Sequence, residues 1–159
     1  MRIARFLEGS TLAHILIADD DDLIAEIVSD ALAAAGHPSH HVPTAEAAWE
    51  QVHVRRPDLV LLDRDMPGMP GLALLARLRA SPLLFDLPVV ILTAMRDPGD
   101  EEEALRLGAQ GFVRKPFEPA MLVARIEAAL ERGVAASPPV GPCEDMEDWQ
   151  RYLPEPRRA

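Results

Sequence analysis

Four aspartates stand in a row at Asp19–Asp22, directly after the apolar run His14-Ile-Leu-Ile-Ala18. Asp63 closes a second apolar run, Asp58-Leu-Val-Leu-Leu62, and Asp65 follows two residues on. Thr93 closes a third, Leu87-Pro-Val-Val-Ile-Leu92, and Lys115 comes just past the short run Gly111-Phe-Val113. Lys115 is the only lysine among 16 basic residues; the rest are arginines. If these runs are strands ending at one rim, Asp19, Asp20, Asp63, Thr93 and Lys115 meet there. Carboxylates about 5 Å apart repel by about 3 kcal/mol per pair at an effective dielectric of about 20. A divalent cation removes that repulsion, and magnesium suits hard oxygen ligands with positions left open for water or phosphate. Asp63 is then set up as a carboxylate nucleophile toward phosphorus, giving an acyl phosphate. Magnesium and the Lys115 ammonium would neutralise charge on the equatorial oxygens, and the Thr93 hydroxyl would donate to the phosphoryl group. Singly, each residue has a plainer explanation: an acidic loop capping a helix, a structural threonine, a surface lysine. Their convergence at one rim is what implies chemistry.

The elements that must bring them together alternate. The run over 14–18 is continuous and β-branched, as a strand buried on both faces is. A helix follows, with Leu23, Ile27 and Ala31 and also Ile24, Val28 and Leu32 at four-residue spacing. Asp21 and Asp22 sit where a helix N-terminus favours negative charge, and Gly36 stops the helix. His40-His41-Val42 is a weak, polar second strand, expected at an edge. Thr44 is placed to cap a second helix through Ala47, Ala48, Gln51 and Val52. The run over 58–62 is the most apolar and is expected at the centre. A loop dense in turn residues, 66–71, leads to a helix carrying Leu72, Leu75 and Leu78. After the fourth strand come a short acidic helix from Asp97 to Leu107, closed by Gly108, and the fifth strand. Pro119 opens a last helix through Leu122, Ile126, Ala129 and Leu130 to Gly133. Five strands alternating with five helices predict an α/β, doubly wound parallel sheet with helices on both faces. Right-handed crossovers then place a cleft beyond the carboxyl ends of the strands.

Composition narrows the function. The 159 residues carry a net charge of −10, which argues against direct nucleic-acid binding, because neutralising phosphates needs a basic face. A cation or a basic protein partner fits better. No apolar run approaches the roughly 20 residues of a membrane helix, and the start, MRIARFLEGSTLAH, has no continuous apolar stretch for a secretory signal. The single cysteine, Cys143, excludes an intrachain disulfide, and a reducing cytoplasm is the expected compartment.

The motifs Ile15-Leu-Ile-Ala-Asp-Asp-Asp21, Asp58-Leu-Val-Leu-Leu-Asp-Arg-Asp-Met-Pro-Gly68, Val89-Val-Ile-Leu-Thr-Ala94 and Gly108-Ala-Gln-Gly-Phe-Val-Arg-Lys-Pro-Phe117 occur in order over roughly residues 13–133. On them the chain resembles the receiver domains of bacterial two-component response regulators. The resemblance implies a flavodoxin-like strand order, 2-1-3-4-5. It implies Asp63 as phosphoacceptor, Asp20 as the main carboxylate ligand of Mg2+, Asp19 as its neighbour acting through water, and the backbone carbonyl of Asp65 as a third protein ligand. Thr93 and Lys115 match the hydroxyl and ammonium that hold the phosphoryl group. Phe112 matches a switch aromatic; lacking a tyrosine hydroxyl, it is expected to lie inward. Lys115-Pro116 matches a cis peptide bond. The implied partners are a sensor histidine kinase or a histidine phosphotransfer protein, and a downstream protein that binds the face made by the fourth helix, fifth strand and fifth helix. That face is also a possible homodimer contact.

Around this core, residues 1–12 read as an N-terminal extension. Residues 134–159, with five of the chain's 15 prolines, read as an acidic, flexible tail too short for a DNA-binding domain. Within it Met146, Trp149 and Leu153 recur at helical spacing, a stripe that could dock on its own domain, a second copy or a partner. Cys143 reads as an incidental thiol, and His37, His40 and His41 as surface residues of an edge strand. Two other outputs stand beside target binding: a phosphorelay intermediate or phosphate sink, and, from Asp63-Arg-Asp65, a haloacid-dehalogenase-type phosphatase.

Overall fold

The computed structural model describes residues 12–94 and 98–132. Five strands, β1 (Ile15–Ala18), β2 (Ser39–Val42), β3 (Leu59–Asp63), β4 (Val89–Thr93) and β5 (Gly111–Arg114), alternate with five helices. These are α1 (Asp22–Ala34), α2 (Ala45–Val54), α3 (Gly71–Arg79), α4 (Pro98–Arg106) and α5 (Pro119–Arg132). The strands form one parallel sheet in the order β2-β1-β3-β4-β5, the flavodoxin-like arrangement. Strands β1, β3 and β4 are buried along their whole length, which is why they read as unbroken apolar runs. Alternate residues feed two cores. Ile15, Ile17, Leu59, Leu61, Val90 and Leu92 pack with Val28 and Leu32 of α1 and Leu122 and Ile126 of α5. Leu16, Val60, Leu62, Ile91 and Phe112 pack with Val52 of α2, Leu74 and Leu78 of α3 and Ala104 of α4.

Local chemistry sets the helix ends. The Asp21 carboxylate accepts from the backbone N–H of Leu23 and Ile24, and the Thr44 hydroxyl accepts from that of Ala47. Gly36, just past α1, takes φ +90°, a left-handed conformation that glycine adopts without steric cost.

Two expectations need correction. Leu23 and Ile27 do not face the core: they are 64% and 38% exposed, while Ala25, Val28 and Leu32 are buried. Two four-residue stripes run along α1, and only one can meet the sheet; Ile24 and Ala31 are left partly buried at its margin. His37 is not a surface residue either, being 1% exposed. It precedes the edge strand, and its ring lies between the start of β1 and α5. There Nδ1 accepts from the Ala13 N–H at 3.1 Å and Nε2 lies 3.2 Å from Glu127 Oε2. An Nδ1 that accepts leaves the proton on Nε2, which donates to Glu127. His40 is exposed as expected, and β2 is the edge strand, beginning one residue earlier than the apolar pattern indicates.

Among the described residues no helix is long and apolar enough to cross a membrane. Residues 1–11, 95–97 and 133–159 lie outside the described set, and with 95–97 goes Asp97, the expected start of the fourth helix. With the terminal residues go most of the proposed extension and the tail with Cys143 and the Met146, Trp149, Leu153 stripe.

Candidate functional site

Register explains why residues distant in sequence share one rim. Ala18 of β1 pairs with Leu62 of β3, Asp63 with Leu92 of β4, and Thr93 with Arg114 of β5. Asp19, Asp63, Thr93 and Lys115 therefore stand at the last position of their strands or one step beyond. Strand order reverses between β1 and β3: the chain leaves β1 toward β2 on one side and returns to β3 on the other. The two crossovers diverge above that point and open a cleft.

Within it, carboxylate oxygens of Asp19, Asp20 and Asp63 lie within 4.8 Å of one another. Lys115 Nζ reaches Asp19 Oδ2 at 3.3 Å and Asp63 Oδ2 at 3.5 Å. Asp19 and Asp63 are buried, while Asp20 is exposed and leaves one side of the cluster open. Backbone bonds hold the acids in place. The Asp65 N–H donates to Asp63 Oδ1 at 3.1 Å, and the Asp21 N–H donates to Asp19 Oδ1 at 2.8 Å. Thr93 is fully buried at the end of β4, and its carbonyl accepts from the Lys115 N–H at 2.7 Å, tying the two residues together. The Lys115-Pro116 peptide bond is cis. Ala94, exposed beside Thr93, adds little bulk at the cleft, and the Asp65 side chain is exposed at its edge. Phe112 is buried beneath, in the core shared with α4, as its lack of a hydroxyl leads one to expect.

The electrostatics are those of crowded acids. Burial, and then the neighbouring Asp19 charge, push Asp63 up to about 7, against the pull of the Asp65 N–H and of Lys115. For Lys115, burial acts to lower the ammonium, but the Asp63 and Asp19 carboxylates outweigh it and hold it above its ordinary value. Three carboxylates facing one ammonium leave the cleft net negative. All the donors are hard oxygens and one side is open, so the residues fit a magnesium-sized cation that keeps some of its waters.

Two further residues support this site: His41, expected as a surface residue of the edge strand but half-buried, and Arg64. His41 Nε2 lies 2.6 Å from the Asp19 carbonyl and holds the β1 end in position. Its pairing with Ile17, two residues before Asp19, is the feature that places it there. Arg64 follows Asp63 and reaches α4, with Nη1 2.6 Å from Asp100 Oδ1 and Nη2 3.5 Å from Glu103 Oε2.

Comparison with known proteins agrees with this arrangement. The response regulator receiver domain family matches residues 15–127. The phosphate regulon transcriptional regulatory protein PhoB of Pseudomonas aeruginosa is 38% identical over 118 residues, covering 74% of this chain and 52% of PhoB. The DNA-binding response regulator MtrA of Mycolicibacterium smegmatis is 41% identical over 119 residues, covering 75% of this chain and 51% of MtrA. This chain thus spans about half the length of these relatives. A putative response regulator from Chloroflexus aurantiacus superimposes with a TM-score of 0.73 at 36% identity, covering 76% of this chain and 98% of that one. The chemotaxis protein CheY4 of Vibrio cholerae does so with a TM-score of 0.70 at 27% identity, covering 74% and 98%. With five parallel strands ordered 2-1-3-4-5 and an acidic cleft at their carboxyl ends, the chain belongs to the response regulator receiver domain family of two-component signalling.

Proposed function

We propose that this chain is a phosphorylation-activated receiver that takes a phosphoryl group onto Asp63. The donor is the phosphohistidine of a sensor histidine kinase or histidine phosphotransfer protein in the cytoplasm. The observation that carries the reading is Lys115 Nζ lying within 3.5 Å of carboxylates from two strands, in a cleft that also holds Asp20. An Asp63 carboxylate oxygen attacks phosphorus, the histidine N–P bond breaks, and the imidazole leaves. Lys115 loses one carboxylate partner as Asp63 becomes an acyl phosphate and turns its ammonium to the new phosphoryl oxygens. Thr93 supplies a hydroxyl donor to the same group, and the Asp65 N–H orients the attacking carboxylate. Asp19, Asp20, Asp63 and the Asp65 carbonyl would hold Mg2+, which when bound offsets the negative charge of the acids and the incoming phosphoryl group. Slow hydrolysis of the acyl phosphate resets the protein, so its catalysis is confined to its own phosphorylation and dephosphorylation.

The receiver unit spans residues 13–133, and the added charge shifts a two-state equilibrium of the α4-β5-α5 face, with Thr93 and Phe112 as the inner contacts. That face binds a downstream protein or a second copy. Incubation with a small acyl phosphate and Mg2+, followed by intact-mass measurement, tests the reading. Wild type gains one phosphoryl group and Asp63→Asn gains none; equal labelling of both overturns it.

A further inference from the structure

Helix α4 is anchored differently from the other helices. The buried side chains described on it are Asp100, Glu103 and Ala104, whereas α1, α3 and α5 bury stripes of Leu, Ile and Val. Its exposed side chains include Leu105, the largest apolar residue on the helix. Among the described side chains of its first two turns, one methyl group contributes little apolar burial, and buried charge takes the place of an apolar stripe. Arg64, the residue after the proposed phosphoacceptor, supplies a cation that meets two of the helix's buried acids. The Asp100 and Glu103 side chains that meet its guanidinium are 1% and 7% exposed, where water and salt screen poorly. The Arg64–Asp100 contact is a close ion pair rather than an aligned hydrogen bond.

The backbone of Arg64 cannot follow the helix. Its N–H donates to the Leu92 carbonyl at 2.9 Å and its carbonyl accepts from the Gly71 N–H at 3.0 Å. The far end of α4 is held separately: the Gly108 carbonyl accepts from Arg79 Nε at 3.0 Å and Nη2 at 2.7 Å. The helix is therefore fixed at its C-terminal end by α3. At its N-terminal end it is tied to a side chain, that of Arg64, whose backbone is joined to Asp63.

We propose that Arg64 is a charge latch on α4, released by phosphorylation of Asp63; the inference rests on Asp63 being the phosphoacceptor. A phosphoryl group on the adjacent residue adds a near-dianion. It draws the guanidinium from Asp100 and Glu103 and repels those two carboxylates, so both effects loosen the same end of the helix. Arg64 is a positioning residue and takes no part in bond making.

The test combines intact mass with hydrogen exchange of the segment 98–107, on the full chain, with a small acyl phosphate and Mg2+. In wild type, phosphorylation speeds exchange of that segment by about tenfold. In Arg64→Gln the segment exchanges fast before phosphorylation and changes less than about twofold on it. Arg64→Lys, which keeps a cation, restores most of the response. Should Arg64→Gln not fold, the combined change Arg64→Gln, Asp100→Asn, Glu103→Gln removes the buried charges together and is expected to be phosphorylated without a response in 98–107. A phosphorylated Arg64→Gln or triple variant with the wild-type response overturns the latch alone. A wild type that gains no phosphoryl group overturns the reading of Asp63, and the latch with it.

Discussion

Lys115 concentrates the chemistry of the rim in one side chain. Its ammonium bridges Asp19 and Asp63, and their charges hold it protonated against the pull of burial. Removing it acts twice: it leaves two buried carboxylates without their cation, and it takes away a donor from charge that develops during transfer. Lys115→Met should slow phosphoryl gain from a small acyl phosphate by about 100-fold, the usual loss for one such electrostatic contact. Initial rates of mass gain measure this, and a change under about threefold would remove Lys115 from the transfer step. The lysine was legible in the sequence because it was solitary and stood just past a strand. His37 and His41 were not. A histidine's burial depends on what packs over it, and α5 and the β1 end reach these rings from distant parts of the chain.

Among the elements, α3 fixes the height of Asp63, the proposed phosphoacceptor. A Cβ added to Gly71 would lie 2.2 Å from the Asp63 carbonyl oxygen and 3.0 Å from the Arg64 Cα, both backbone atoms. The first turn of α3 therefore sits directly on the peptide that carries Asp63. Gly71→Ala should cost about 3 kcal/mol of stability, read as a lowered urea midpoint. It should also slow phosphorylation, because a displacement of about 1 Å can cost about 100-fold in rate. An unchanged midpoint would mean that helix and strand end separate freely. No spacing rule shows this contact in advance; the sequence places Gly71 only in a turn-rich loop. The strands were legible for a simpler reason, since burial on both faces leaves unbroken apolar runs. Helix phase was less so, because α1 carries two apolar stripes and the sequence does not say which one the sheet takes. The four-aspartate run likewise divides into distinct parts only in three dimensions: Asp19 is buried, Asp20 is open to solvent and Asp21 caps α1.

For the molecule as a whole, the acidic cleft is a stability cost that protons or a cation relieve. Asp63 ordinarily titrates near 3.8 and is pushed up to about 7 in the fold, first by burial and then by Asp19. Between these values the native state holds a proton that the unfolded chain has lost, so raising the pH through this window lowers stability. The slope is on the order of 1 kcal/mol per pH unit at its steepest and vanishes above the folded value. Lys115 adds no slope there, since its elevated ammonium is protonated in both states until the pH nears the usual lysine range. The informative quantity is the stability difference between wild type and Asp63→Asn, which isolates this one group. Without Mg2+ the variant should be the more stable at pH 8, and the gap should close toward pH 5. Mg2+ should work in the opposite sense, by binding the ionised cleft of the native state. At 100 times its dissociation constant it adds about 2.7 kcal/mol. That gain should be large for wild type at pH 8, small at pH 5 where Asp63 keeps its proton, and reduced in Asp63→Asn at both. Urea unfolding at the two pH values, with and without Mg2+, measures all eight stabilities. A gap that does not vary with pH would show that Asp63 does not carry the strain of the cleft, and an equal Mg2+ gain in the two proteins would show that it does not help to hold the ion.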